Sequence, residues 1–204
     1  MREKEYGIWQ TISWHDMAAM VANMACGLHQ AGLKRGEHMV VVGSNRPRLY
    51  APMLAAQSLG AIPVPLYQDA AAAECVFPMT NAEVRLCVVE DQEQVDKMLE
   101  VRETYTALER IIFDNPRGLR KYDEPGLGSL DELLSAGEAF AKQHPNFYKE
   151  QVALGSKEDV AAMFFTSGTT GNPKGVVHTH GTLIDRAQAG AEFDHLTSDE
   201  DVLA

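Results

Sequence analysis

"HMVVVGSNRPRLYAPMLAAQSLGAIPVPLY", His38 to Tyr67, is the stretch on which the fold turns. "HMVVVGS" is an unbroken apolar run that reads as a strand buried on both faces. "NRPRLYAPMLAAQSLG" reads as a helix, with Asn45 as candidate N-cap, Pro52 blurring its middle and Gly60 as its stop. "AIPVPLY" is a short strand whose two prolines cannot donate to a ladder, which places it at a sheet edge or makes it irregular. Strand, helix, strand in this order is the unit of a parallel crossover.

The same rhythm extends both ways. Upstream, "SWHDMAAMVANMACGLHQAG" places Met17, Met20, Val21, Met24 and Leu28 at helical spacing, with Ser13 and Asp16 at capping-box spacing and Gly32 as the stop. Downstream, "AAAECVFPMTNA" is a poorer helix because of Pro78, "VRLCVVE" a strand, Gln92 to Arg102 a helix and "RIIFD" a strand. The expected class is α/β, a parallel sheet flanked by helices. A turn-rich loop, "DNPRGLRKYDEPGLG", then breaks the pattern and reads as a connection between a first part, about 1–115, and a second, about 129–204. Its basic residues Arg117, Arg120 and Lys121 read first as a solvated face, with a phosphate or membrane contact as the other reading. Ser129 and Glu132 open another capped helix, and "DVAAMFFT" is a further strand.

Composition sets bounds on function. With 45% apolar residues in 204, the chain is a folded globular protein or part of a larger one. There is no run of about 18 apolar residues, and "MREKEYGIWQ" lacks the apolar centre of a signal peptide, so a cytoplasmic protein without a transmembrane segment is expected. Cys26, Cys75 and Cys87 sit in apolar segments without metal-site spacing and read as buried thiols. A formal charge of −11 opposes nucleic-acid binding.

The chemistry is concentrated in "FFTSGTTGNPKGVV", Phe164 to Val177. Gly168, Gly171 and Gly175 permit positive φ and remove the Cβ atoms that would hold an anion away from backbone N–H groups. Thr166, Ser167, Thr169 and Thr170 add hydroxyl donors, and Lys174 adds a mobile positive charge. These parts suit phosphate. The stretch is not the G-x-x-x-x-G-K-[ST] nucleotide loop, because Pro173 precedes Lys174 and Gly175 follows it. "VVHTH" beyond it reads as a strand, so no helix N-terminus is expected to complete the site. His178 and His180 would share one face of that strand, but two histidines make a poor metal site and packing is the preferred reading.

"TSGTTGNPKGVVHTH" resembles the phosphate-binding signature of the AMP-forming acyl- and aryl-CoA synthetases. "REKEYGIWQTISWHDM", "GLKRGEHMVVVGSNRPRLY", "GAIPVPLYQD" and "VVEDQEQVDK" resemble the bacterial long-chain fatty-acid CoA ligase branch in order and spacing, so the likeness spans nearly the whole chain. The resemblance implies an incomplete part of the large N-terminal domain of an adenylate-forming enzyme. It implies a reaction of a carboxylic acid with ATP and Mg²⁺ to acyl-adenylate and pyrophosphate, followed by transfer to coenzyme A. It makes Thr166, Ser167, Gly168, Thr169, Thr170, Gly171 and Lys174 the phosphate contacts, with Lys174 offsetting charge on the leaving pyrophosphate. This chain has Gly181 and Thr182 where relatives often carry an asparagine shortly after the "TH" pair. The later family motifs are expected beyond Ala204, and "TSDEDVLA" reads as ending on the first residues of a strand, so the chain reads as a fragment, inactive alone. The alternatives are a non-catalytic nucleotide-binding or regulatory fragment, and an adenylation enzyme for another carboxylate.

Overall fold

A computed structural model describes residues 1–166 and 173–197. The chain opens with an antiparallel hairpin, β1 (Arg2–Glu5) and β2 (Ile8–Thr11), before α1 (Trp14–Gln30). The α1 N-terminus is closed as its sequence predicts. The Asp16 N–H donates to Ser13 Oγ at 3.1 Å, and the Ser13 N–H donates back to the Asp16 carboxylate at 3.2 Å. Together these satisfy two of the N–H groups that a helix start leaves open.

The central unit comprises β3 (His38–Val42), α2 (Pro47–Ser58), β4 (Ile62–Leu66), α3 (Ala72–Asn81), β5 (Leu86–Val89), α4 (Gln92–Thr104), β6 (Arg110–Phe113), β7 (Leu127–Ser129) and α5 (Leu130–Gln143). Its five strands lie in the order β4-β3-β5-β6-β7, and every pairing is parallel. Alternate strand residues feed two cores. Met39, Val41, Leu86, Val88 and Ile112 meet α1, α2 and α5 on one face, while Val40, Val42, Cys87, Val89 and Ile111 meet α3 and α4 on the other. That double coverage is why the strands read as continuous apolar runs.

β4 is an edge of this sheet, as its prolines require. The Ile62 N–H donates to Glu37 O at 2.8 Å on the β3 side. By alternation, Pro63 and Pro65 lack only N–H groups that would point outward. The two helix-internal prolines are also accommodated: α2 runs through Pro52 and α3 through Pro78, both buried. The α2 cap differs from the sequence expectation. Arg46, not Asn45, is the N-cap, it makes no side-chain capping bond, and Pro47 takes the first helical position, where its missing N–H costs nothing.

Residues 114–128 are less irregular than their turn-rich composition suggests. They hold a 3₁₀ turn at Leu119–Lys121, and they lead into β7, which pairs with β6. α5 then packs on α1. A Cβ at Gly137 would lie 1.8 Å from the Asn23 carbonyl oxygen, and one at Gly27 would lie 2.3 Å from that of Leu133, so both glycines are demanded by the approach of the helices.

α6 (Phe147–Ala153), β8 (Val160–Thr166), β9 (Lys174–Thr179) and α7 (His180–Phe193) complete the described chain. β8 packs beside β4, and the Gln57 side chain donates to Ala161 O at 2.8 Å. β8 and β9 pair antiparallel, outside the parallel sheet. The reading of the last residues as a strand start falls outside the described residues.

Candidate active site

The glycine and threonine stretch is carried by a hairpin. From Ala162↔His178 the β8–β9 register runs through Met163↔Val177, Phe164↔Val176 and Phe165↔Gly175 to Thr166↔Lys174. Thr166 is thus the last residue of β8 and Lys174 the first of β9, opposite one another and both exposed. Ser167, Gly168, Thr169, Thr170 and Gly171 lie outside the described residues. The Lys174 ammonium has no ion-pair partner among the described residues.

Gly175 is used differently from the sequence reading. Its φ is not positive, and it lies within β9. A Cβ there would approach Met163 Sδ to 3.2 Å and Phe165 Cζ to 3.4 Å, so the missing side chain makes room for β8 neighbours.

The two histidines do not share a strand face. His178 is in β9 and packs edge-to-face on Phe164, centroids 5.7 Å apart. His180 begins α7, because the Thr179 hydroxyl caps the helix by accepting the Thr182 N–H at 3.2 Å. The His180 and Gly181 N–H groups donate to Asp159 O and Lys157 O, and a Cβ at Gly181 would come within 3.1 Å of the Lys157 oxygen. Gly181 and Thr182 are therefore explained by the start of α7.

A second group of polar residues gathers at the C-terminal edge of the parallel sheet, where α2 and α4 leave β3 and β5 in opposite directions. Such switch points form crevices in open α/β sheets. Glu90, following β5, accepts from the Ser44 N–H at 2.6 Å, the Ser44 hydroxyl at 2.7 Å and Arg46 Nη1 at 3.3 Å. Burial alone would raise its pKa. The Ser44 donors and the Arg46 charge outweigh that and hold the carboxyl below its ordinary range. Arg48 bridges Asp114 and Asp131 at 2.6 Å each, and burial raises the Asp114 carboxyl despite this partner. Sequence reasoning missed these residues. The available signal was the acid that closes each of two successive strands, in "VVE" and "IIFD".

Between the ends of β3 and β4 and Phe164 of β8 lies a cleft of about 490 Å³, lined by the apolar Leu49, Met53, Pro65 and Leu66 and by the polar Ser44, Asn45, Gln68 and Asp69. An apolar group fits such a wall, two residues before the end of β8. The cysteines take no part: all three are buried, and burial raises each thiol pKa, which keeps them protonated.

A parallel sheet covered by helices on both faces and followed by the β8–β9 hairpin makes this an α/β protein. The AMP-binding enzyme family matches residues 2–204, and the chain belongs to it. It is 28% identical over 197 residues to fatty acyl-CoA synthetase A of Dictyostelium discoideum, covering 92% of this chain and 27% of that protein. It is 25% identical over 191 residues to long-chain-fatty-acid–CoA ligase FadD15 of Mycobacterium bovis, covering 94% and 30%. The chain thus spans less than a third of either relative. Among solved structures, the anthranilate CoA ligase AuaEII in complex with anthranoyl-AMP superposes with a TM-score of 0.73 at 20% identity, covering 88% of this chain and 32% of that one. A luciferase-like enzyme from the mealworm Zophobas morio superposes with a TM-score of 0.72 at 20% identity, covering 89% and 39%.

Proposed function

We propose that the complete protein activates a carboxylic acid, a long-chain fatty acid first among them, by AMP-forming ligation to coenzyme A. A carboxylate oxygen bonds to the α-phosphorus of ATP, the bond to the β-phosphate bridging oxygen breaks, and pyrophosphate leaves with the electron pair. The thiol of coenzyme A then attacks the acyl carbonyl and AMP departs. The names of the two curated relatives support the fatty-acyl choice.

One observation carries the reading. The Thr166↔Lys174 pairing brings both ends of the hydroxyl-rich stretch to one end of a ladder, beside an ammonium group that no described carboxylate neutralises. In our reading Thr166, Ser167, Gly168, Thr169, Thr170 and Gly171 surround the β- and γ-phosphates, and Lys174 offsets charge on the leaving group. Positioning and charge stabilisation are the main contributions a protein makes to such transfers. Magnesium bound to ATP would neutralise part of the polyphosphate charge. No group of three His, Cys, Asp or Glu placed to hold a metal ion exists among the described residues, and no metal ligand is assigned to this chain.

A division of the chain into two α/β parts belongs to the same proposal. The packing of α5 on α1 supports a boundary shortly before β8 rather than near residue 129. No described helix is long and apolar enough to cross a membrane. The test is ATP–pyrophosphate exchange by the complete protein with carboxylic acids of graded chain length. Exchange stimulated most by long-chain acids supports the proposal, and stimulation by none of them rejects it.

A further inference from the structure

The N-terminal hairpin, which the reaction does not use, presents an aromatic tip. Tyr6 and Gly7 have φ of 49° and 81°, the two positive values that a tight type I′ turn requires. The register pairs Lys4 with Trp9 and Arg2 with Thr11 on one face, and Glu3 with Gln10 on the other. Glu3 is turned to the protein body by Arg46 Nε at 3.1 Å. Tyr6 is 75% exposed, Ile8 65% and Trp9 61%. Three large side chains this accessible around one turn mark an interaction site more than an ordinary surface.

Basic groups lie beside the tip. The Arg117 guanidinium lies 5.0 Å from the centre of the Tyr6 ring, and Arg2, Lys4 and Arg117 line one cleft beside the hairpin. The acids of that cleft are already committed, Glu3 to Arg46 and both Asp114 and Asp131 to Arg48. Neither Lys4 nor Arg117 has a carboxylate partner among the described residues. Arg120 and Lys121 follow in the adjoining 3₁₀ turn.

We propose that this corner docks on an anionic lipid bilayer, with Tyr6 and Trp9 in the interface and Lys4 and Arg117 toward the headgroup phosphates. Tyrosine and tryptophan favour the interfacial layer, where an apolar ring and a polar tip are both satisfied. The net charge of −11 does not defeat this. Screening limits distant acids to a range of about 8 Å at physiological salt, whereas the corner touches the surface. Docking requires neither ATP nor acid, so it stands or falls apart from the proposed reaction.

The chain supplies its own probe, because Trp9 and Trp14 are its two tryptophans. Emission and flotation are measured with phosphatidylcholine vesicles, with and without phosphatidylglycerol, using Trp14→Phe so that Trp9 alone reports. The expected result is a blue shift and flotation with the anionic vesicles, reversed by salt, with Trp9→Ala binding more weakly. Lys4→Gln and Arg117→Gln should each weaken binding about fivefold, the usual effect of one basic residue near an anionic surface. Melting curves check that these variants remain folded. An unshifted emission, equal binding to neutral and anionic vesicles, or parental binding by Arg117→Gln would each overturn the proposal.

Discussion

Thr166 and Lys174 are cross-strand partners at the end of the β8–β9 ladder. A lysine there is fixed at its Cα by sheet hydrogen bonding while its ammonium stays mobile, which suits a group that follows charge onto a departing phosphate. Lys174→Ala in the complete protein should therefore spare the second half-reaction. Thioester formation from supplied acyl-adenylate should stay within about twofold of the parent, since pyrophosphate has already left. Equal loss in both halves would point to misfolding.

Glu90 ties the ends of β3 and β5 together, so its ionisation is linked to stability. Its folded-state pKa lies below the ordinary 4.5, mainly because the Ser44 donors and Arg46 outweigh burial. A depressed carboxyl contributes stability above its ordinary pKa, and that contribution is lost as pH falls through the lowered value. Asp114, raised by burial, slopes the other way. Glu90→Gln should thus melt lower near neutral pH and lose less stability on acidification below 4.5. Melting curves parallel to those of the parent from about pH 7 to about pH 3 would reject the linkage.

Two glycine-to-alanine changes should have opposite signs. At Gly137 the added Cβ would lie 1.8 Å from Asn23 O, so α5 must move off α1 at a cost of about 1–3 kcal/mol. At Gly190 in α7 nothing lies within 4 Å, and alanine should stabilise by about 0.5–1 kcal/mol. Thermal melts of the two variants check this, and equal melting temperatures would contradict it.

These residues also show what was legible in the sequence. The α1 capping box and the β3–α2–β4 crossover were, because each is written in local spacing that tertiary contacts reinforce. The β1–β2 hairpin was not: its strands are four residues each, and β2 is exposed throughout, so no apolar alternation marks them. β7 is three residues inside a turn-rich run, and α7 buries none of its residues among those described. At the candidate site, the stretch from Thr166 to Lys174 stood out because its hydroxyls and glycines are nearly consecutive. Ser44 and Glu90 are 46 positions apart and meet only because β3 and β5 are neighbours. The closeness of Gly27 to Leu133 likewise exists only in the packed helices.

Residues 1–204 alone should form no detectable acyl-adenylate from ATP, magnesium and palmitate. The chain spans 27% of the Dictyostelium relative, and the proposed contacts to two phosphates would have to offset the full entropic cost of binding. ATP affinity should be about millimolar or weaker. Radiolabelled acyl-AMP above a Lys174→Ala control would contradict this.

The central claim, that the Thr166–Lys174 hairpin is the phosphate cradle of an acid-activating enzyme, is tested most directly by acid-dependent ATP–pyrophosphate exchange in the complete protein and its Lys174→Ala variant. The account predicts exchange in the parent and a loss of about 10²-fold or more in the variant, the usual cost of about 3 kcal/mol for removing a preorganised transition-state contact. Exchange at the parental rate in a folded Lys174→Ala protein would contradict it.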